Sequence, residues 1–258
     1  MSPLSPQSRL RGGRWPSGIA WLSALLLVLA ALLLLVAGPA YRLELLPLST
    51  AFGLLRYGGL LGLGAIAIAL LALLVALLCR RKRVIWGTAF TIASTVALLW
   101  VPWTYWQRAQ SAPPIHDITT DLETPPAFMA LAPAREAAPN AVDYPGESFA
   151  RRQREAYPDI QPRHYPLPLA TVRAAAEAAV LDMGWEIADI TVDAVDTIEA
   201  TATTTWFGFK DDVVIRLTQE SDGIRVDARS ASRLGRGDAG ANAQRIRDYF
   251  EALERRTG

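Results

Sequence analysis

IEATATTTWFGFKDDVVIRL, residues 198–217, carries two apolar series at a spacing of two, Ile198, Ala200, Ala202 and Val213, Ile215, Leu217. Between them lie hydroxyls, three aromatics, a glycine and a pair of acids. Alternation of this kind marks strands with one buried face, and a short polar connection makes them antiparallel neighbours.

Strands are therefore expected near 197–204 and 211–219, with two more near 185–192 and 223–229; Glu220, Ser221, Asp222 and Gly223 form the turn before the last. On the N-terminal side, PLATVRAAAEAAVLDM at 168–183 spaces Val172, Ala176, Val180 and Met183 by three or four, with Gly184 as a stop, which predicts an amphipathic helix. On the C-terminal side, Ala243, Ile246, Tyr249, Phe250 and Leu253 predict a second helix over 239–254, with Asp238 suited to cap it. If QPRHYPL at 161–167 pairs as a leading strand, the order becomes β-α-β-β-β-β-α: an α+β domain with an antiparallel sheet and helices on one face.

Alternation assigns Ile198, Ala200, Ala202, Val213, Ile215, Leu217, Ile224, Val226 and Ala228 to the helix side. The other face receives Glu199, Thr201, Thr203, Asp212, Arg216, Thr218, Arg225, Asp227 and Arg229. One reading is a solvated face with cross-strand charge pairs; the other is a surface whose arginines present fork donors to a carboxylate or phosphate.

The first 107 residues are a different material. They hold nine Lys or Arg against the single acid Glu44, whereas residues 108–258 hold 17 basic and 24 acidic side chains. Residues 18–38 are uncharged over 21 positions, close to the roughly 20 residues that cross about 30 Å of hydrocarbon as a helix. Residues 57–79 and 84–103 form two further spans. A cleaved signal peptide is the rival reading of the first, but its apolar run is longer than a usual h-region and two spans follow it. Arg9, Arg11 and Arg14 precede it, and Arg80, Arg81, Lys82 and Arg83 occupy the short loop between the second and third. Short basic segments stay cytoplasmic, so the expected arrangement is a multi-pass inner-membrane protein with a cytoplasmic N-terminus and a periplasmic C-terminal domain. Trp100, Trp103, Tyr105 and Trp106 read as an interfacial belt. The glycines Gly58, Gly59, Gly62 and Gly64 suit close helix packing, and the spans carry no charge of the kind that transport or proton relay uses.

Between the two parts, residues 109–168 contain 11 prolines and little aliphatic bulk, and 109–145 reads as an extended, mobile tether. The expected organisation is thus a membrane domain over 1–107, a Pro/Ala-rich linker over 108–145, and a soluble α+β domain over 146–258.

Chemistry is sparse. The single cysteine, Cys79, excludes an intrachain disulfide, a zinc cluster and a dithiol redox pair. Basic charge concentrated beside spans argues against a nucleic-acid partner. No G-x-S-x-G elbow, Walker loop or H-E-x-x-H is present, and the two histidines are His116 and His164. No cofactor or metal is expected. Ser230 or Ser232 with Lys210 would suit a Ser–Lys hydrolase, a reading without support from spacing.

The candidate ligand site is RSASRLGRGDAGAN, residues 229–242, just before a helix N-terminus, where N–H groups and the helix dipole attract anions. Its members are Arg229, Ser230, Ser232, Arg233, Asp238 and Asn242, with Arg245, Asp211 and Asp212 alongside. The competing reading pairs Arg229 and Arg233 with Asp211, Asp227 or Asp238 as scaffold. The acids Asp211 and Asp212 are adjacent and, on a strand, would face opposite ways; a turn exposing or capping with one of them is the alternative.

AYPDIQP at 156–162, MGWEI at 183–187, IEATATTTWFGFKDDVVIR at 198–216 and VDARSASRLGRGDAGANAQRIR at 226–247 together form a pattern that resembles the domain of unknown function 1499 family, in its bacterial, membrane-anchored form. The likeness spans about residues 147–255 and implies a bacterial envelope setting, with no biochemical activity attached. The resulting expectation is a membrane-tethered periplasmic binding or interaction module, whose partners are the lipid bilayer and an envelope protein or small anionic ligand. The alternatives are an envelope serine hydrolase and a structural subunit of a membrane assembly.

Overall fold

The computed structural model describes residues 14–192 and 195–258. Arg9 and Arg11, two of the tail arginines read as a topology signal, lie outside them. The chain divides into two compact units, Met1–Tyr105 and Trp106–Gly258.

The first unit holds α1 (Trp15–Arg42), α2 (Leu48–Leu78) and most of α3 (Lys82–Ser111), whose last residues fall in the second unit; each is long and apolar enough to cross a membrane. Their packing is inverted relative to a water-soluble bundle. The buried positions of α2 are small, with Ala65, Ala69, Ala72 and Ala76 all at 0% exposure, while Leu60, Leu63, Leu70, Leu71, Leu74 and Leu77 point outward at 52–60%. Apolar solvent outside removes the reason to bury leucine, and small residues let backbones approach. A Cβ on Gly58 would stand 2.8 Å from Leu34, and one on Gly62 would stand 2.9 Å from Leu99, so these glycines seat α2 against its own neighbours. The hydroxyls of Thr88, Thr91 and Thr95 donate to carbonyls one turn back at 2.8, 3.1 and 2.7 Å, which satisfies them within α3. Only Cys79, Arg80 and Arg81 separate α2 from α3, so the basic cluster straddles a tight connection.

The second unit comprises β1 (Asp117–Thr119), α4 (Ala132–Glu136), α5 (Glu147–Ala156), β2 (Arg163–Tyr165), α6 (Leu169–Asp182), β3 (Glu186–Thr191), β4 (Asp196–Thr203), β5 (Lys210–Glu220), β6 (Gly223–Ser232) and α7 (Ala241–Thr257). Strands β3, β4, β5 and β6 form an antiparallel meander, and β1 and β2 both pair with the outer edge of β6. The early half of β6 takes β2 (Tyr165 opposite Ile224), and the late half takes β1 (Asp117 opposite Ala231). The leading strand expected at 161–167 is thus β2, while β1 is an additional strand.

Helices α6 and α7 cover one face. All nine alternating positions assigned to that side are at most 6% exposed, and Val172, Ala176, Val180, Ile246, Tyr249 and Leu253 meet them from the helices. The opposite face corrects the solvated reading: Glu199, Thr201, Asp212, Asp227 and Arg229 are 0–7% exposed. Its cover is the stretch read as a tether. Phe128 and Leu131 are buried there against Val214 and Ala231, and Arg135 is at 0% exposure, while Ile115 and Ile118 of the same stretch enter the core on the helix side. Composition misleads here because little of this segment's binding to the sheet is aliphatic. Beyond a few apolar side chains it docks through strand pairing, backbone amides and carbonyls, and the charged side chains Asp117, Asp121 and Arg135, which a hydrophobic count does not detect.

The β5–β6 turn forces the chain past β2. Gly223 has φ +148°, and a Cβ there would stand 2.3 Å from the Tyr165 carbonyl oxygen and 3.0 Å from Pro166 Cα, both backbone atoms. Gly223→Ala is expected to cost about 2 kcal/mol or more, because backbone on both sides must move. A chemical-denaturation midpoint unchanged from wild type would contradict this.

Candidate functional site

Strand alternation divides the candidate residues between two buried clusters. On β5, Asp211 faces the helices and Asp212 faces the covering segment, and both lie within the strand at 5% and 0% exposure rather than in an exposing turn. The WFGF tip is the turn itself.

On the covered face, Arg229 donates to both oxygens of Asp117 from Nε and Nη2, at 3.0 and 2.8 Å, from Nη1 to the Pro126 carbonyl at 3.0 Å, and from Nη2 to the Val142 carbonyl at 2.9 Å. Asp212 accepts from Arg135 at 3.0 Å, from Arg233 at 2.8–3.1 Å and from the Thr201 hydroxyl at 2.9 Å. The Arg135 and Arg229 guanidiniums lie 4.6 and 4.7 Å from the centre of the Phe128 ring. Further along, Arg216 and Arg225 share Asp121 and Asp227, each contact between 2.8 and 3.1 Å. Burial opposes ionisation of Asp121, yet the Thr124 and Glu123 N–H groups, the Thr124 hydroxyl and Arg216 prevail and hold its pKa below the ordinary value.

On the helix face, Arg245 donates to Asp211 at 2.5 Å, to the Ser230 hydroxyl at 3.0 Å and to Asn242. Ser230 donates to Asn242 Oδ1 at 2.7 Å, and Asn242 Nδ2 donates to Ser232 Oγ at 2.9 Å and to the His116 carbonyl at 3.0 Å. Asp238 accepts from the N–H groups of Gly240 and Asn242 at 2.8 and 2.7 Å, and so caps α7 with Gly240 at the N-cap position. Burial pushes its pKa up, against those two N–H bonds, and the charge of Asp211 adds to the rise.

The candidate residues therefore do come together, but as a self-neutralising network. The N–H groups at the start of α7 that would receive an external anion hold the Asp238 carboxylate. The same device recurs at Glu199, which accepts from the N–H groups of Met129, Ala130 and Leu131 at 2.8, 3.0 and 3.0 Å. Arg229 and Arg233 take Asp117 and Asp212 as partners; of the acids weighed from the sequence, Asp211 pairs with Arg245 and Asp227 with Arg216 and Arg225. Sequence reading missed Asp117, Asp121 and Arg135, the charged partners supplied by the covering segment. The signal available was the pair Ile115 and Ile118 flanking Asp117, and one arginine isolated among alanines and prolines. Among the described residues, no group of three or more His, Cys, Asp or Glu is placed to hold a metal ion.

Lys210 and Arg236 are exposed with no side-chain ion pair or hydrogen bond among the described residues, a state they share with Arg151, Arg152 and Arg255. The first two lie at the same end of the sheet, because the Arg233 N–H donates to the Lys210 carbonyl at 3.1 Å where β6 leaves its pairing with β5.

A meander of four strands, edged by two short ones, covered by helices on one side and by a charged strap on the other, and preceded by three membrane-length helices, defines a membrane-associated α+β domain protein. The family described as Protein of unknown function (DUF1499) matches residues 117–253, and the chain belongs to it. That match begins at β1, so the covering segment is part of the family's domain. Neither a curated protein nor a solved structure matches the chain.

Proposed function

We propose that the chain is a multi-pass protein of the bacterial inner membrane, with a cytoplasmic N-terminus and a periplasmic C-terminal domain, and that this domain is a non-enzymatic module binding an anionic group. The orientation is supported by Arg80 and Arg81 in the tight connection between α2 and α3 and by Lys82 and Arg83 in the first turn of α3, positions that favour the cytoplasmic side. The binding reading rests on one observation. In a domain whose buried arginines are already matched with acids, Lys210 and Arg236 are left exposed and unmatched at one end of the sheet. The hydrolase alternative loses its nucleophiles: Ser230 is 0% and Ser232 4% exposed, and the Ser230 hydroxyl is committed to Asn242.

Alkaline phosphatase fused after Gly258 is expected to be active, and a silent fusion would overturn the orientation. Native mass spectrometry of the full chain, released gently from its own membranes, is expected to show bound phosphate or phosphatidylglycerol. Retention should fall about five-fold for each of Lys210→Ala and Arg236→Ala, since a Lys or Arg near an anionic surface contributes about 1 kcal/mol. A bare protein, or an adduct indifferent to both substitutions, would refute the anion reading.

A further inference from the structure

The two edges of the sheet are finished differently. Along the outer side of β6, both β2 and β1 pair, and the Gln153 side chain from α5 closes β1 in turn: it accepts from the Thr119 N–H at 3.1 Å and donates to the Thr119 carbonyl at 2.6 Å. A primary amide so placed offers β1 the donor and the acceptor that a further strand would supply. The other edge has no such device. Strand β3 ends the sheet, and among the described residues no backbone hydrogen bond reaches Glu186–Thr191 from outside its ladder with β4. An open row of N–H and C=O groups is a template for an incoming strand.

The side chains of β3 define what that edge accepts. Ile187 and Ile190 lie opposite Ala200 and Ile198 and pack, partly buried, against the helix-side core. Glu186 and Asp189 lie opposite Thr201 and Glu199 on the other face, and both are exposed. A spacing of three would ordinarily put these acids on opposite faces; the register shift at Ala188 brings them to one. Neither carboxylate has an ion pair among the described residues, and Asp189 accepts only from the Thr191 hydroxyl, at 2.7 Å. A second copy of the chain fits this edge poorly. Two β3 strands joined antiparallel about a two-fold axis normal to the sheet keep like faces together, so four unneutralised carboxylates would crowd one side. A strand that alternates basic and apolar residues fits well: its apolar side chains extend the Ile187 and Ile190 row, and its cations meet Glu186 and Asp189.

We propose that β3 accepts, as an added strand, an extended segment of a partner protein in which Lys or Arg alternates with an aliphatic residue. The site is distinct from Lys210 and Arg236 and does not rest on the anion reading.

The test uses the full chain in a nonionic detergent with an end-capped heptapeptide alternating lysine and valine, and a glutamate–valine peptide as its counterpart. Hydrogen exchange followed by mass spectrometry is expected to slow about ten-fold over residues 186–191 at saturating lysine peptide, and to stay unchanged with the glutamate peptide. Glu186→Gln and Asp189→Asn should each weaken binding about three-fold, the scale of one cross-strand ion pair, with an unchanged melting transition confirming that both variants fold. Strand addition uses every second amide of the incoming peptide, so methylation of one alternate set of its backbone nitrogens should abolish binding and methylation of the other should not. No protection by the lysine peptide would show that the acids and the bulge only guard the edge, and would overturn the proposal. Equal protection by both peptides, or binding that survives both methylations, would overturn it as well. Protection of β3 that appears without peptide and grows with protein concentration would assign the edge to a second copy and overturn the partner assignment.

Discussion

Arg229→Ala is expected to unfold the C-terminal domain rather than to empty a binding site. The guanidinium holds both oxygens of Asp117 and the carbonyls of Pro126 and Val142, and it lies over the Phe128 ring. Alanine would leave the Asp117 carboxylate, in a residue of 0% exposure, without a counter-charge and would orphan two carbonyls. Breaking a buried pair from one side costs about 3–5 kcal/mol, a large part of the roughly 5–15 kcal/mol that holds a typical domain together. Removing both charges is a milder change, because the penalty lies in the unmatched partner: Arg229→Met with Asp117→Leu should recover much of the loss. Urea unfolding of the full chain, followed by domain fluorescence, reads both. A stable Arg229→Ala protein that has lost a bound anion would instead make Arg229 a ligand residue.

The second large effect concerns where the domain starts. A chain beginning at residue 146, the boundary that composition suggests, is expected not to fold, whereas one beginning at 112 should fold cooperatively. The shorter piece lacks β1, Asp117, Phe128, Arg135 and the amides that hold Glu199, yet it keeps Arg229, Asp212 and Asp227 on the face they covered. That face would combine unmatched charges with a β6 edge missing one of its two short partners. Circular dichroism and hydrogen exchange on the two truncations decide the matter. A cooperative transition in the shorter piece would show that the strap is an accessory and not part of the core.

What the sequence disclosed and what it hid have one physical explanation. Strands β3 to β6 and helices α6 and α7 follow hydrophobic periodicity, because the face between them is held by apolar burial, and Ile198, Val213 and Ile224 record that face directly. The covering segment is attached largely by Asp117, Asp121, Arg135 and main-chain groups, whose partners lie about a hundred positions away and leave no local period. For the same reason the motif at 229–242 reads equally well as an anion site or as a scaffold. Only the position of Asp117, and of Asp238 on the α7 amides, shows where its donors point.

The place of β6 in the sheet also governs when the domain can form. It pairs with β1, β2 and β5, so three separate pieces of chain meet on one strand that is made after all of them. Asp117 waits for a partner 112 positions downstream, and Arg135 for one 77 positions downstream. As the chain emerges, the strap therefore remains an uncommitted, charged polypeptide until the last strand arrives. Assembly of this kind, dominated by distant pairings, is slow. The nascent domain should consequently be most open to proteases and chaperones just before its final third is complete, and insensitive to them once β6 has closed.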